Sequence, residues 1–309
     1  QRAGDAGGFP ARYAQTLMSA IDPTIPAGER QAAFVPRLFD ADVLSTYACA
    51  ELDRAIEHLG WRAGRVHEGV HQARKSLRRT RAVIALGGAV LGPGADLLDR
   101  EVRRVNRRLS GMRDAQALVE TLDRLIAKNK APELAPVLRR ARRTAAQARS
   151  ECARRELADD PGLARKRMLL GTLRAALPAL PWDSLTETRV RDALDSGLVR
   201  IDTADAQARA TGRDADWHRW RRRVRRLSQQ HRALGDRIDL GGAKKRVKTL
   251  AVDLGEAQDY ALLRDHCGRR SIFSELDRQL LRALADDGTQ RMRERIEKTS
   301  TEGMNVPVQ

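Results

Sequence analysis

The stretch HQARKSLRR at 71–79 is written again as HRWRRRVRR at 218–226. His71, Arg74, Lys75, Leu77, Arg78 and Arg79 match His218, Arg221, Arg222, Val224, Arg225 and Arg226 at a constant offset of 147 residues. A second pair follows in the same order. LSGMRDAQAL at 109–118 matches LGEAQDYALL at 254–263, with Asp114 against Asp259 and an offset of 145. Two ordered blocks at one spacing point to a duplicated unit, each copy built around a cationic helix.

At 100° per residue, Val70, Ala73, Leu77 and Ile84 form one apolar stripe. His71, Arg74, Lys75, Arg78 and Arg81 fill a neighbouring arc of about 120°. In the second copy Trp217, Trp220, Val224 and Leu227 form the stripe, and His218, Arg221, Arg222 and Arg225 form the arc. The cations flank the buried face instead of lying opposite it, so they line a groove between helices. The helix that follows adds Arg100, Arg103, Arg104 and Arg107 in one half and Lys244, Lys245 and Lys248 in the other, with Arg103 and Lys248 equivalent. Arg113 and Asp114 are expected at a helix start, where Asp caps backbone N–H groups or partners an arginine. The copy reads Gln258-Asp259, keeping the acid and not the cation.

Composition agrees. The chain has 309 residues and a net charge of +17. With 41% hydrophobic residues it is a folded protein and not a basic tail. Ala, Leu and Arg dominate, which favours helix. The charge implies a polyanionic partner. No apolar run reaches the roughly 18 residues of a bilayer span, so no membrane role is expected. Three distant cysteines suggest no disulfide framework, and no secretory signal is visible, which together indicate a cytoplasmic protein.

Glycine and proline punctuate the pattern. An irregular arm is expected over 1–39. Helices are expected from 42, then over about 66–86, 95–109, 113–130 and 132–157. The second half gives 163–178, 183–211, 214–234, 243–255, 258–267 and 275–298, followed by a disordered tail at 299–309. No stretch alternates with period 2. The fold class is therefore all-α, with two pseudo-symmetric four-helix bundles at 40–158 and 159–298 around a basic central groove.

At these residues the chain resembles the CHAD family, the conserved histidine α-helical domain. Its marks are a His-x-x-Arg helix with further cations at helical spacing, then a Leu-Gly-x-x-Arg-Asp segment, both present twice. VHQARKSLRRTR (70–81) with RRLSGMRDAQAL (107–118), and WHRWRRRVRRLS (217–228) with VDLGEAQDYALL (252–263), carry the resemblance over about 40–300. It implies two helical bundles and a basic surface that binds inorganic polyphosphate, with polyphosphate granules as a place of association. It assigns His71, Arg74, Lys75, Arg78 and Arg103 in one half, and His218, Arg221, Arg222, Arg225 and Lys248 in the other. Arg81, Arg107, Arg113, Lys244 and Lys245 extend the binding set. Ser110 and Gln258 depart from the family's Gly and Arg. The Glu-x-Glu-x-Lys signature of the triphosphate-tunnel domain often fused to this family is absent from this chain.

His67-Glu68-Gly69-Val70-His71 spells a zincin motif, but His67 is matched by Asp214 and the neighbouring cations would repel a dication. Trp217 and Trp220 sit on the apolar stripe and read as core. The expected function is non-enzymatic polyphosphate binding, with no cofactor and no catalytic residue. Nucleic acid is the alternative partner, disfavoured by 4% aromatics, which provide little for base stacking.

Overall fold

Asp40 opens the first helix by accepting the Asp42 backbone N–H at 2.9 Å, a side-chain cap of an orphan donor. The computed structural model describes residues 40, 42–128, 131–238 and 243–304. Among them there is no strand. The helices are α1 Asp42–Leu59, α2 Val66–Gly87, α3 Gly92–Arg108, α4 Ser110–Lys128 and α5 Leu134–Asp159. They continue as α6 Ala164–Ala176, α7 Glu187–Thr211, α8 Asp214–Leu234, α9 Ala243–His266 and α10 Glu275–Met304. The protein is all-α, as the periodicity indicates. The arm expected over 1–39 and the Gly241-Gly242 turn lie outside the described residues.

The two copies of the basic helix, α2 and α8, pack on one another. Their apolar stripes are buried: Val70, Ala73 and Leu77 on one, Trp217, Trp220, Val224 and Leu227 on the other. The tryptophans meet edge to face at 5.3 Å between centroids, a favoured aromatic geometry. Gln230 donates to the Ala82 carbonyl at 3.1 Å inside this contact. α1 backs α2, and buried Glu51 ties them by accepting from Arg79 at 3.1 Å. α7 backs α8.

Apolar packing does not part at the expected boundary near 158/159. The larger core joins α1, α2, α3, α6, α7 and α8. The smaller joins α4, α5, α9 and α10 through Leu118, Leu122, Leu138, Leu263 and Leu281. Each draws on both halves of the chain. Arg124 to Asp259 at 2.7 Å and Arg140 to Asp277 at 2.5 Å bind the halves across the smaller core.

Several element boundaries differ from expectation. α4 begins at Ser110, so Asp114 lies inside the helix and caps nothing. The helices expected over 243–255 and 258–267 are one, because the lone Gly255 between them weakens a helix without breaking it. α7 starts at Glu187 behind the Thr186 cap, whose hydroxyl accepts from the Arg189 N–H at 3.3 Å. The last helix runs to Met304 and not 298, as Thr and Ser disfavour helix only weakly and no proline intervenes before Pro307. One stretch within 63–108 is apolar over 18 residues, contrary to the expected absence of such a run. It spans the end of α2, a 3-10 turn at Gly88–Leu91 and the start of α3, and its Val83, Ile84, Leu91 and Leu98 are core residues.

Gly69 sets the α1–α2 crossing: a Cβ there would lie 2.2 Å from the His58 carbonyl oxygen. Gly69→Ala should lower stability by roughly 1–3 kcal/mol, the cost of overpacking. Gly171→Ala, where nothing lies within 4 Å, should gain up to about 1 kcal/mol from helix propensity. Urea unfolding of both variants checks this; a harmless Gly69→Ala would contradict the close crossing.

Candidate functional site

Along the α2–α8 seam runs an open cleft of about 490 Å³. α2 contributes Arg74, Arg78 and Arg81, and α3 contributes Arg103 and Asn106. α7 gives Arg200, and α8 gives His218 with Arg219, Arg221, Arg222, Arg223, Arg225 and Arg226. That is three arginines from α2, one each from α3 and α7, and six from α8, eleven in all, and the lining has no carboxylate and no Phe, Tyr or Trp. Among the described residues, only Arg81 and Arg219 of these form an ion pair. Arg81 grips Asp99 with two bonds, at 2.8 and 2.9 Å, and Arg219 meets Asp216 at 3.0 Å.

The cations flank the buried face, and burial raises the cost of their charge. Burial holds Arg78 well below its ordinary pKa, and Arg225, Arg74, Arg221 and Arg113 press it further. Burial and Arg225 together bring Arg221 down to about 10. Burial also lowers Arg225, helped by Arg113, and lowers Arg74, with Asp114 opposing. A guanidinium keeps its proton in proteins, so these shifts describe a group of charges held together against repulsion. Arg74 donates to the Asn106 carbonyl. The Nε atoms of Arg74, Arg78 and Arg221 are buried without a hydrogen-bond partner, which the great majority of buried donors have.

The two acids of the repeat stand behind these arginines. Burial raises both Asp114 and Asp259, while Arg74 opposes at the first and Arg124 and Arg221 oppose at the second. Asp259 pairs with Arg124 at 2.7 Å, while Asp114 lies in the electrostatic reach of Arg74 and Arg113.

The two histidines differ. His218 lies 2.6 Å from Gln258, Nδ1 to Oε1. An amide oxygen only accepts, so Nδ1 carries a proton, and Nε2 can donate to an anion only when the ring is doubly protonated. At the equivalent place in the other half, Arg113 pairs with Glu120 at 2.8 Å. His71 is half-buried near it, held down to about 4 by burial and by the Arg113 charge, and its Nδ1 has no partner.

Of the remaining expected residues, Lys75 is half-buried in the electrostatic reach of Arg79 and Arg232. Lys244 is held by Asp236 at 2.8 Å. His71, Lys75, Arg107, Arg113, Lys244, Lys245 and Lys248 do not line the cleft. Sequence reasoning missed Arg200, Arg219, Arg223 and Arg226. Three of these could have been found, because residues 217–235 contain no acid at all. Arg200 lies outside the repeat and carries no signal.

His71 should leave a mark on stability. Its folded pKa lies below that of the unfolded chain, near 6.5, so the unfolded state binds more protons on acidification. Its contribution is complete above pH 6.5 and is lost as the pH falls towards 4. Denaturant unfolding from pH 7 to 4 should show this loss, and His71→Gln should flatten it; an unchanged slope would contradict the buried neutral imidazole.

No curated protein matches the chain. Among solved structures it is similar to the crystal structure of the CHAD domain from the plant Ricinus communis, at 19% identity and a TM-score of 0.54, covering 87% of this chain and 90% of that one. At that identity the likeness speaks for the fold. A family model of the CHAD domain matches residues 46–268, well over half of the chain, and the protein belongs to the CHAD domain family.

Proposed function

We propose that this protein binds inorganic polyphosphate in the α2–α8 cleft without turning it over. One observation carries the reading: eleven arginines line the cleft with no carboxylate among them. Each guanidinium presents donors in a fork that matches phosphoryl oxygens, and charge-assisted bonds of this kind are strong. A chain with a negative charge on every phosphoryl unit relieves repulsion along the whole seam and supplies acceptors for the buried Nε groups. A small single anion would satisfy one end. The lining has no Phe, Tyr or Trp, which removes the usual platforms on which nucleic acid bases stack. On this reading the protein acts where polyphosphate accumulates, in the cytoplasm and its granules.

Turnover would need a metal clamp or a placed nucleophile beside the cations. The lining offers neither a carboxylate nor a free thiol, and Asp259 is paired with Arg124 outside it.

Binding should be ionic. If roughly 6–10 phosphates are contacted, affinity falls by about 10³–10⁵ between 50 and 200 mM salt, on the scaling known for DNA. A flat salt response in titration calorimetry would count against the cleft.

Charge reversal locates the site. Arg74→Glu/Arg78→Glu and Arg221→Glu/Arg225→Glu should each weaken polyphosphate binding at least about tenfold, since each removes two contacts worth more than a neutral hydrogen bond. Circular dichroism confirms that the helices persist. Long-chain polyphosphate incubated with the protein and Mg²⁺ should keep its length. Wild-type affinity in both variants, or steady release of orthophosphate, would overturn the proposal.

A further inference from the structure

A second cavity, of about 480 Å³, opens on the other side of α8. His218, Arg219, Arg221 and Arg222 border both, so α8 is a shared wall. The two hollows differ in chemistry. The second has an apolar side formed by Ala215, Leu254, Ala257 and Ala261. It also has carboxylates, Asp214 and Asp265. Much of its positive charge is already answered, because Arg293 and Arg264 both bond Asp214, the first at 2.6 Å. What remains for an anion is the shared edge with Arg221 and Arg222.

The cavity also holds unanswered donors. Trp217 is only 7% exposed, and its indole N–H has no partner. The Nε groups of Arg293 and Arg221 are likewise buried and unpartnered. All three residues line this one cavity. Buried donors without acceptors are rare, and these three lie beneath the surface of one hollow. Arg293 already covers the Trp217 ring, 4.8 Å from its centroid, so the indole offers its edge and not its face.

A ligand that fits must be anionic at one end, apolar and flat in the middle, and able to donate to a carboxylate at the other. We propose that this cavity binds a nucleoside phosphate. The phosphates meet Arg221 and Arg222 at the shared edge. The ring lies along Ala257 and Ala261, and its amino or sugar hydroxyl groups donate to Asp265. An inorganic phosphate chain uses the charged edge and leaves the apolar wall and the carboxylates without a role. The inference does not rest on polyphosphate binding in the neighbouring cleft.

Titration calorimetry on the full chain with adenosine 5′-diphosphate and, separately, pyrophosphate tests it, with tryptophan fluorescence followed in parallel. Adenosine 5′-diphosphate should bind at least about tenfold more tightly than pyrophosphate and shift the emission. Ala261→Trp fills the cavity and should abolish that binding while leaving polyphosphate affinity within about twofold. Ala257→Leu narrows the same wall and gives the same reading if the larger side chain unfolds the protein. Equal affinity for the two ligands would make the cavity a mere extension of the basic cleft and overturn the proposal. So would nucleotide binding that survives both substitutions, or none at millimolar concentration.

Discussion

Repulsion between guanidinium groups across the α2–α8 seam is the constraint to which the rest of the structure responds. Two unit charges at 4 Å repel by about 1 kcal/mol in water and by about 4 kcal/mol at the dielectric of a protein surface. Arg74, Arg78, Arg221 and Arg225 face that cost several times over, with Arg113 adding to it. The seam closes because its apolar side is large: Trp220, Val224, Leu227 and Leu77 are buried almost completely. Ion pairs elsewhere hold the halves in place. Arg124–Asp259 and Arg140–Asp277 cross between them, and buried Glu51 takes Arg79 out of the repulsive set. A polyanion in the cleft removes the one unfavourable term this arrangement retains.

α8 carries two jobs because no acid interrupts it between 217 and 235. Arginines leave it in several directions. Those facing α2 and α7 make the deep basic cleft. Those bordering the second hollow share it with Asp214, Asp265 and an apolar wall. His218 stands between the two, its Nδ1 proton committed to Gln258. The second copy of the repeat has glutamine where the first has Arg113, and that exchange decides how each histidine presents itself. In one half a cation and its Glu120 partner crowd a neutral, buried His71. In the other an exposed His218 is held by Gln258.

The all-α fold was legible because the 3.6-residue stripe of Val70, Ala73 and Leu77 returns as Trp217, Trp220 and Val224, and burial follows both stripes. The cleft was legible in its centre for the same reason: cations beside a buried stripe stay at its edge, and Arg74, Arg78, Arg221 and Arg225 are half-buried in the cleft. Long-range pairing was not legible. Nothing local to Arg81 indicates Asp99, and nothing in Lys244 indicates Asp236. Arg200 entered the site from α7 through tertiary packing alone. Two separate bundles were read from the order of the repeat, but order along the chain does not determine which helices share a core. α4, α5, α9 and α10 meet because their leucines do. The Asp114 cap failed because Ser110-Gly111, a turn signal in isolation, continues a helix here.

The most direct test of the account compares affinities for long-chain polyphosphate, duplex DNA and single-stranded RNA at matched salt. An arginine cleft without Phe, Tyr or Trp should favour polyphosphate by at least about tenfold, a difference of about 1.4 kcal/mol, and the preference should persist as salt is raised. Equal binding of all three would mean that the basic surface reads charge alone, and tighter binding of either nucleic acid would contradict the assignment.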